Sequence, residues 1–139
     1  MEVKNIGPLD TINIRKQMLR KDFPLDACHY PGDDDDLTFH LGGLIDGKLV
    51  SVASFYFVDH PSIEEGVQYQ LRGMATLPDF QGQGLSSALL RTAFPIIKQN
   101  QGTTLWCNAR EKAWGFYEKV GFKKRGEAFE IENIGKEVL

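Results

Sequence analysis

The chain has 139 residues, 42% of them hydrophobic and 25% charged, which suits one globular domain able to bury a core without disulfide staples. Its net charge of −3 argues against a general binder of nucleic acid or of anionic membranes, since either needs a strongly basic face. Cys28 and Cys107 do not resemble a disulfide framework, no apolar leader follows Met1-Glu2-Val3-Lys4, and no run approaches the ~18 apolar residues of a membrane span, so a cytoplasmic setting with two free thiols is expected.

Val3 to Ile6 fits a short first strand. Asp10 is placed to cap a helix over Thr11 to Arg20, whose partly apolar face carries Ile12, Ile14 or Arg15, Met18 and Leu19. Pro24 to Asp36 is irregular and ends in four consecutive aspartates, a pattern typical of a solvated loop and a weak hint of a rim for cationic ligands. Leu37 to Ile45 and Leu49 to Val58 have the composition of strands, and Asp46-Gly47 between them is a tight-hairpin signal. After a loop over residues 59–66, Val67, Tyr69, Leu71, Gly73 and Ala75 alternate with Gln68, Gln70, Arg72, Met74 and Thr76. That period of two predicts a strand with one apolar and one more polar face.

Leu85, Ala88, Leu89, Ala93, Ile96 and Ile97 form one stripe at helical spacing, and Pro95 is expected to kink or end that helix near Phe94. Thr103 to Cys107 is a short apolar strand. Ala113, Phe116, Tyr117 and Val120 follow at i, i+3, i+4 and i+7, with Gly121 as a left-handed stop. Asn108 and Glu111 have the spacing of a capping pair. Lys123 to Ile131 and Ile134 to Leu139 are expected to close the fold as two strands. The order is β-α-β-β-β-α-β-α-β-β, an antiparallel meander joined to one strand-helix-strand crossover.

Pro78-Asp79-Phe80-Gln81-Gly82-Gln83-Gly84-Leu85-Ser86-Ser87 carries the chemistry. A strand ends at Thr76, Pro78 turns the chain, and two glycines open a helix whose first N–H groups lack intrahelical partners. Glycines let an anion approach such a backbone closely, which suits a phosphate-bearing ligand. A nucleotide P-loop requires Lys after its last glycine, and Leu85 stands there. A dinucleotide fingerprint requires a third glycine at Ser87 and an acid about 20 residues on, and both are missing.

Gln81-x-x-Gly84-x-Ser86 resembles the Gln/Arg-x-x-Gly-x-Gly/Ala signature of the GNAT superfamily of N-acetyltransferases. Leu71-Arg72-Gly73-Met74-Ala75-Thr76-x-Pro78 is similar to the strand that leads into that turn. Asn108, Ala113 and Phe116-Tyr117-Glu118-Lys119-Val120-Gly121-Phe122 are similar to the family's later segment. The likeness spans roughly residues 37 to 125, and Ser86 departs from the usual Gly or Ala while staying small.

The resemblance implies an α/β (α+β) fold: a mixed, mostly antiparallel sheet of six to seven strands flanked by helices, with the fourth and fifth strands splayed, in one domain over residues 1–139. It implies acetyl-CoA as co-substrate, no metal, and transfer of the acetyl group to a primary amine by direct attack. CoA binding without turnover is the alternative. Main-chain groups of Met74, Ala75 and Thr76 would pair with the pantetheine arm. Gln81, Gly82, Gln83, Gly84, Leu85, Ser86 and Ser87 would surround the pyrophosphate, with Arg91, Lys112 and Lys119 as candidate cations. Asn108 would bond the cofactor or cap the next helix. Tyr117 would protonate the departing thiolate.

Cys107 is expected to be a buried structural thiol. No acid lies on the fourth strand, so proton removal from the amine is expected to run through water. Glu64, Glu65, His40 and His60 are the side chains to consider, the two histidines being more typical of a surface. The acceptor is expected to be a small-molecule or peptide amine, with no nucleic acid or membrane partner, and an edge strand offers a place for a second copy of the chain.

Overall fold

The computed structural model describes residues 1–63, 66–125 and 128–132. Seven strands form one sheet in the order β1-β2-β3-β4-β5-β7-β6. They are β1 (Glu2–Ile6), β2 (Phe39–Ile45), β3 (Lys48–Tyr56), β4 (Gln68–Thr76), β5 (Thr104–Cys107), β6 (Lys123–Arg125) and β7 (Ala128–Glu132). Helices α1 (Ile12–Met18), α2 (Leu85–Gln99) and α3 (Trp114–Lys119) complete the framework. All strand pairs are antiparallel except β4 with β5.

The hairpin between β2 and β3 turns at Asp46 (φ 50°) and Gly47 (φ 79°), the pair of left-handed residues that suits a right-twisted hairpin. Helices α1 and α2 cover opposite faces. Leu89, Leu90, Ala93, Phe94 and Ile97 of α2 meet Leu41, Ala53, Phe55, Tyr69, Leu71 and Leu105. Ile14 of α1 meets Val52 and Ala75 on the other side. Each fully buried aliphatic or aromatic side chain in these clusters adds about 1.5–3 kcal/mol of transfer free energy.

Strand β4 corrects its sequence pattern. Leu71 and Ala75 are four residues apart, so a regular strand would point both to one face. Leu71 instead joins the α2 cluster and Ala75 the α1 cluster. The register explains this: Ser54 faces Arg72 and Val52 faces Ala75, so Ala53 alone opposes Gly73 and Met74. An extra residue on one strand is a bulge, and it shifts every later side chain to the opposite face. Gly73 has φ +62°, which an L side chain rarely adopts. The expected polar face is also not solvated at Gln68, which is 2% exposed. Its amide donates to Ile63 O and its Oε1 accepts from His60 N–H.

Pro95 does not end α2, which continues to Gln99. Pro95 and Arg91 both face solvent, so the carbonyl that loses its intrahelical donor is on the wet side of the helix. Asp10 does not cap α1. Its Oδ2 accepts from Gly7 N–H and closes the 3-10 turn at Pro8–Thr11 instead, and α1 begins after Thr11 without a side-chain cap. Nor do Asn108 and Glu111 form a capping pair, because the cap position of the turn before α3 is Arg110, with no side-chain cap bond. Helix α3 stops at Gly121 (φ 103°), where Phe122 N–H donates to Tyr117 O and Gly121 N–H to Glu118 O. The stretch expected as one strand from Lys123 to Ile131 holds β6 and β7, which pair with each other. The strand expected over Ile134 to Leu139 lies outside the described residues, as do Glu64 and Glu65.

Candidate active site

Strands β4 and β5 pair only over Gln68–Thr104, Tyr69–Leu105 and Gln70–Trp106. Beyond that point β4 runs on to Thr76 while β5 ends at Cys107, so the two strands part. A cleft of about 560 Å³ opens there. Its walls are Met74, Ala75 and Thr76 of β4, the turn residues Gln81, Gly82 and Gly84, and Leu85, Ser86 and Ser87 of α2. Met18 and Leu19 at the end of α1, Ala113 just before α3, and Phe116 and Tyr117 from α3 close it.

The turn is shaped by its glycines. Gly82 (φ +77°) and Gly84 (φ +84°) are both left-handed, and a Cβ placed on either would meet nothing within 4 Å. They are needed for backbone conformation, and the space around them is open. Gly84 is the cap residue of α2, and its carbonyl accepts from Ala88 N–H at 3.0 Å, so the amides of Leu85, Ser86 and Ser87 have no intrahelical acceptor. Gln81 fixes the entrance: its Nε2 donates to Thr76 O at 3.0 Å and ties the turn back to the end of β4. That bond occupies one lone pair of the Thr76 carbonyl.

Of the sequence-predicted site residues, the structure brings ten to this cleft: Met74, Ala75, Thr76, Gln81, Gly82, Gly84, Leu85, Ser86, Ser87 and Tyr117. Gln83 and Asn108 are exposed and outside its lining, and so are the candidate cations Arg91, Lys112 and Lys119. Tyr117 sits with its ring edge-on to Phe116 and Phe122, at centroid distances of 5.2 and 5.3 Å. Its phenol neighbours the thiol of Cys107, which is 1% exposed. Burial, and then the neighbouring Cys107, raises the phenol above its ordinary value, so it carries its proton at neutral pH. Burial likewise pushes the Cys107 thiol up to about 12, so it carries no thiolate for nucleophilic attack.

Sequence reasoning missed a buried network beside the bulge. Arg15 is fully buried, and its Nη1 and Nη2 donate to the two carboxylate oxygens of Asp33 at 2.7 and 3.1 Å. Nη1 also reaches Cys28 O, and Nη2 reaches Ser54 Oγ and Tyr56 Oη. Tyr56 donates to Asp33 in turn. His40 is not a surface residue: it is 3% exposed, its Nε2–H donates to Asp33 O, and its Nδ1 accepts from Ser54 Oγ. Burial holds His40 below its ordinary value of 6.5. Within the aspartate run Asp33 is consumed by Arg15 and Asp34 lies 3.1 Å from His29, which leaves Asp35 and Asp36 exposed at the surface. His60 packs edge-on to Trp106 and accepts from Ser62 N–H. Partners up to 41 residues apart in the chain left no local sequence signal for this network.

Tyr30 forms a platform next to it. The guanidinium carbons of Arg15, Arg20 and Arg72 lie 3.9, 5.1 and 4.9 Å from its ring centroid. Arg15 is paired with Asp33. Arg20 and Arg72 are partly exposed, and among the described residues no carboxylate is within ion-pairing distance of either.

A parted parallel strand pair, a glycine turn opening onto a bare helix mouth, and a protonated phenol in the same cleft define an acyl-transferase fold. Residues 11–122 match the acetyltransferase (GNAT) family, and the chain belongs to that family. It is 39% identical over 139 residues, all of this chain and 93% of the relative, to the uncharacterized N-acetyltransferase YitI of Bacillus subtilis (strain 168). Among solved structures, an aminoglycoside 6'-N-acetyltransferase complexed with coenzyme A superimposes with a TM-score of 0.77 at 11% identity, over 96% of this chain and 98% of that one. The ribosomal-protein-S18-alanine N-acetyltransferase of Escherichia coli gives 0.76 at 17% identity, over 95% and 93%. The protein is an acyl-CoA-dependent N-acetyltransferase that moves an acetyl group to an amine. Among the described residues, no helix is long and apolar enough to cross a membrane.

Proposed function

We propose that the cleft between β4 and β5 aligns acetyl-CoA for direct attack by a primary amine, with Tyr117 as the acid that protonates the departing thiolate. The reading is carried by one observation: the free amides of Leu85, Ser86 and Ser87 and the phenol of Tyr117 line the same cleft. The amides and the positive end of the α2 dipole suit a diphosphate. Main-chain groups of Met74, Ala75 and Thr76, past the last β5 partner, suit the amides of a pantetheine arm laid along the strand. Holding both reactants in one cleft supplies the proximity that direct attack needs. No Asp, Glu or His lines the cleft among the described residues, which supports proton removal from the amine through water. Family membership does not favour CoA binding without turnover.

The acceptor is an amine that carries negative charge. Arg20 and Arg72 both lie over the Tyr30 ring, Arg20 directly after the cleft residue Leu19 and Arg72 two residues before Met74, and among the described residues neither is paired with a carboxylate. Guanidinium groups held by stacking are pre-organised for carboxylates. A dicarboxylic amino acid is accordingly a better acceptor than a polyamine.

Thiol release from acetyl-CoA tests the reading. Tyr117→Phe lowers kcat at least tenfold while CoA still raises the melting temperature of the variant as it does for the parent; an unchanged kcat removes Tyr117 from the mechanism. Arg72→Gln raises KM for aspartate about tenfold or more and leaves KM for acetyl-CoA within twofold, the loss of a charge-assisted bond being worth about 1.5–3 kcal/mol. Faster turnover with spermidine than with aspartate refutes the acceptor class.

A further inference from the structure

Arg72 has neighbours that confine it before any acceptor arrives. Its guanidinium carbon lies 4.9 Å from the Tyr30 ring centroid and 5.6 Å from that of Tyr56, within cation–π range of both. Both rings are buried, and both residues are tied to one carboxylate. Asp33 Oδ2 accepts from Tyr30 N–H at 2.9 Å, and Asp33 Oδ1 accepts from the Tyr56 hydroxyl. Arg15 Nη1 and Nη2 donate to the same two oxygens, and the Arg15 guanidinium carbon lies 3.9 Å from the Tyr30 ring centroid. The Tyr30 ring also packs on the β4 bulge, where a Cβ at Gly73 would meet it at 3.1 Å. Gly73 stands between Arg72 and the cleft residue Met74, so the platform and the cleft share one stretch of strand. We propose that Asp33 is a positioning residue for the acceptor: by fixing Tyr30 and Tyr56 it presents the Arg72 guanidinium, already oriented, to the carboxylate of the incoming amine. The inference rests on the acidic-acceptor reading given above.

Stability alone does not account for this arrangement. Apolar residues of the same volume often match a buried ion pair in stability, so the pair is weak evidence for a purely stabilising role. What it supplies here is geometry. Each Asp33 oxygen accepts from two donors, and the donors come from α1 (Arg15), from the loop before β2 (Tyr30) and from the end of β3 (Tyr56). Those bonds set the two rings relative to each other, and Arg72 is confined by both. A guanidinium confined in advance loses less rotamer entropy when it captures a carboxylate, which tightens acceptor binding without touching the acetyl-transfer step. Arg20 differs. It lies 5.1 Å from Tyr30 and 4.9 Å from Phe23, and Phe23 is 48% exposed, outside the Asp33 network. Of the two arginines, Arg72 is therefore the stronger determinant of the acceptor.

Side-chain NMR tests the positioning directly. The Arg72 Nε–H signal, identified by its loss in Arg72→Gln, has an order parameter close to that of rigid backbone, about 0.85, and falls below about 0.6 in Asp33→Asn. An unchanged order parameter in that variant overturns the proposal without reference to activity. Thiol release from acetyl-CoA with aspartate gives the kinetic arm. Asp33→Asn raises KM for aspartate about fivefold, with kcat and KM for acetyl-CoA within twofold, and in an Arg72→Gln background it causes no further rise. Tyr56→Phe keeps the ring and deletes its hydroxyl bonds to Asp33 and Arg15. It lowers the same order parameter and raises KM for aspartate about threefold, and it decides the matter by both readouts if Asp33→Asn does not fold. Losses spread over kcat and both KM values, or a rise that adds to that of Arg72→Gln, mark a merely structural role and overturn the proposal. A parent-like KM for aspartate in Arg72→Gln alone would instead overturn the acceptor reading on which the inference rests.

Discussion

The hydrogen bonds around His40 suit the neutral ring. Its Nε2–H is spent on Asp33 O, so its Nδ1 must accept from Ser54, whose oxygen accepts from Arg15. A second ring proton would make the Ser54 oxygen accept twice and leave its own hydroxyl proton without His40 as acceptor. Burial, the largest cause, holds the folded value below 6.5, so the unfolded chain binds more protons as the solution is acidified. The stability His40 contributes is therefore complete above pH 6.5 and is lost as pH falls toward the folded value. Asp33 acts in the same sense further down. Burial alone would raise it, but hydrogen bonds from Arg15, Tyr56 and the Tyr30 amide outweigh that and hold it below 3.8. The melting temperature is expected to fall from about pH 7 to about pH 5, with the slope reduced in His40→Asn. An equal slope in that variant would show that other groups set the acid limb. Breaking the ion pair itself is costlier, because Arg15→Met strands a buried carboxylate, a change worth about 3–5 kcal/mol by urea titration.

Elements defined by backbone conformation were the legible ones. Asp46-Gly47, Gly84 and Gly121 all stand where φ is positive, and each marked a turn, a helix start or a helix stop from the sequence alone. What depended on knowing which side is wet was not legible. Pro95 sits inside α2 at no visible break because its turn faces solvent, and the bulge in β4 hides in an unbroken alternation from Val67 to Ala75. The cleft residues were found because they are contiguous, whereas the Tyr30 platform gathers arginines from positions 15, 20 and 72. The two kinds of glycine separate in a mutational test. Gly84→Ala meets open space and costs only left-handed strain, about 1–2 kcal/mol. Gly73→Ala adds crowding to the same strain, since its Cβ would lie 3.1 Å from the Tyr30 ring and 3.3 Å from Arg15 Nε. It is expected to cost about 1–3 kcal/mol more in urea unfolding. Equal costs would mean that β4 relaxes at the bulge.

At the scale of the molecule, the sheet is two paired blocks joined over three residue pairs, with β1 to β4 on one side and β5, β7 and β6 on the other. Among the described residues the sheet ends at β6, where Lys123 and Lys124 are exposed, and like charges on an edge strand oppose pairing with a second copy. The inner gap is where the sheet is weakest, because the β4 ladder beyond Gln70 lacks a β5 partner. A ligand laid in that gap replaces the missing strand, so binding stabilises this seam more than the rest of the fold. At a hundredfold excess over Kd the gain is about 2.7 kcal/mol. Hydrogen exchange locates it. With CoA present, amides between Leu71 and Thr76 that face the gap, and those of Leu85, Ser86 and Ser87, are expected to slow markedly. Amides of the β2–β3 hairpin should change no more than the global stability does. The second cavity, about 510 Å³ against Asn5, Pro8, Asp34, Thr38 and His40, provides the contrasting outcome. Protection there, with the helix mouth unchanged, would move the cofactor away from Tyr117 and remove the basis for acid catalysis by that residue.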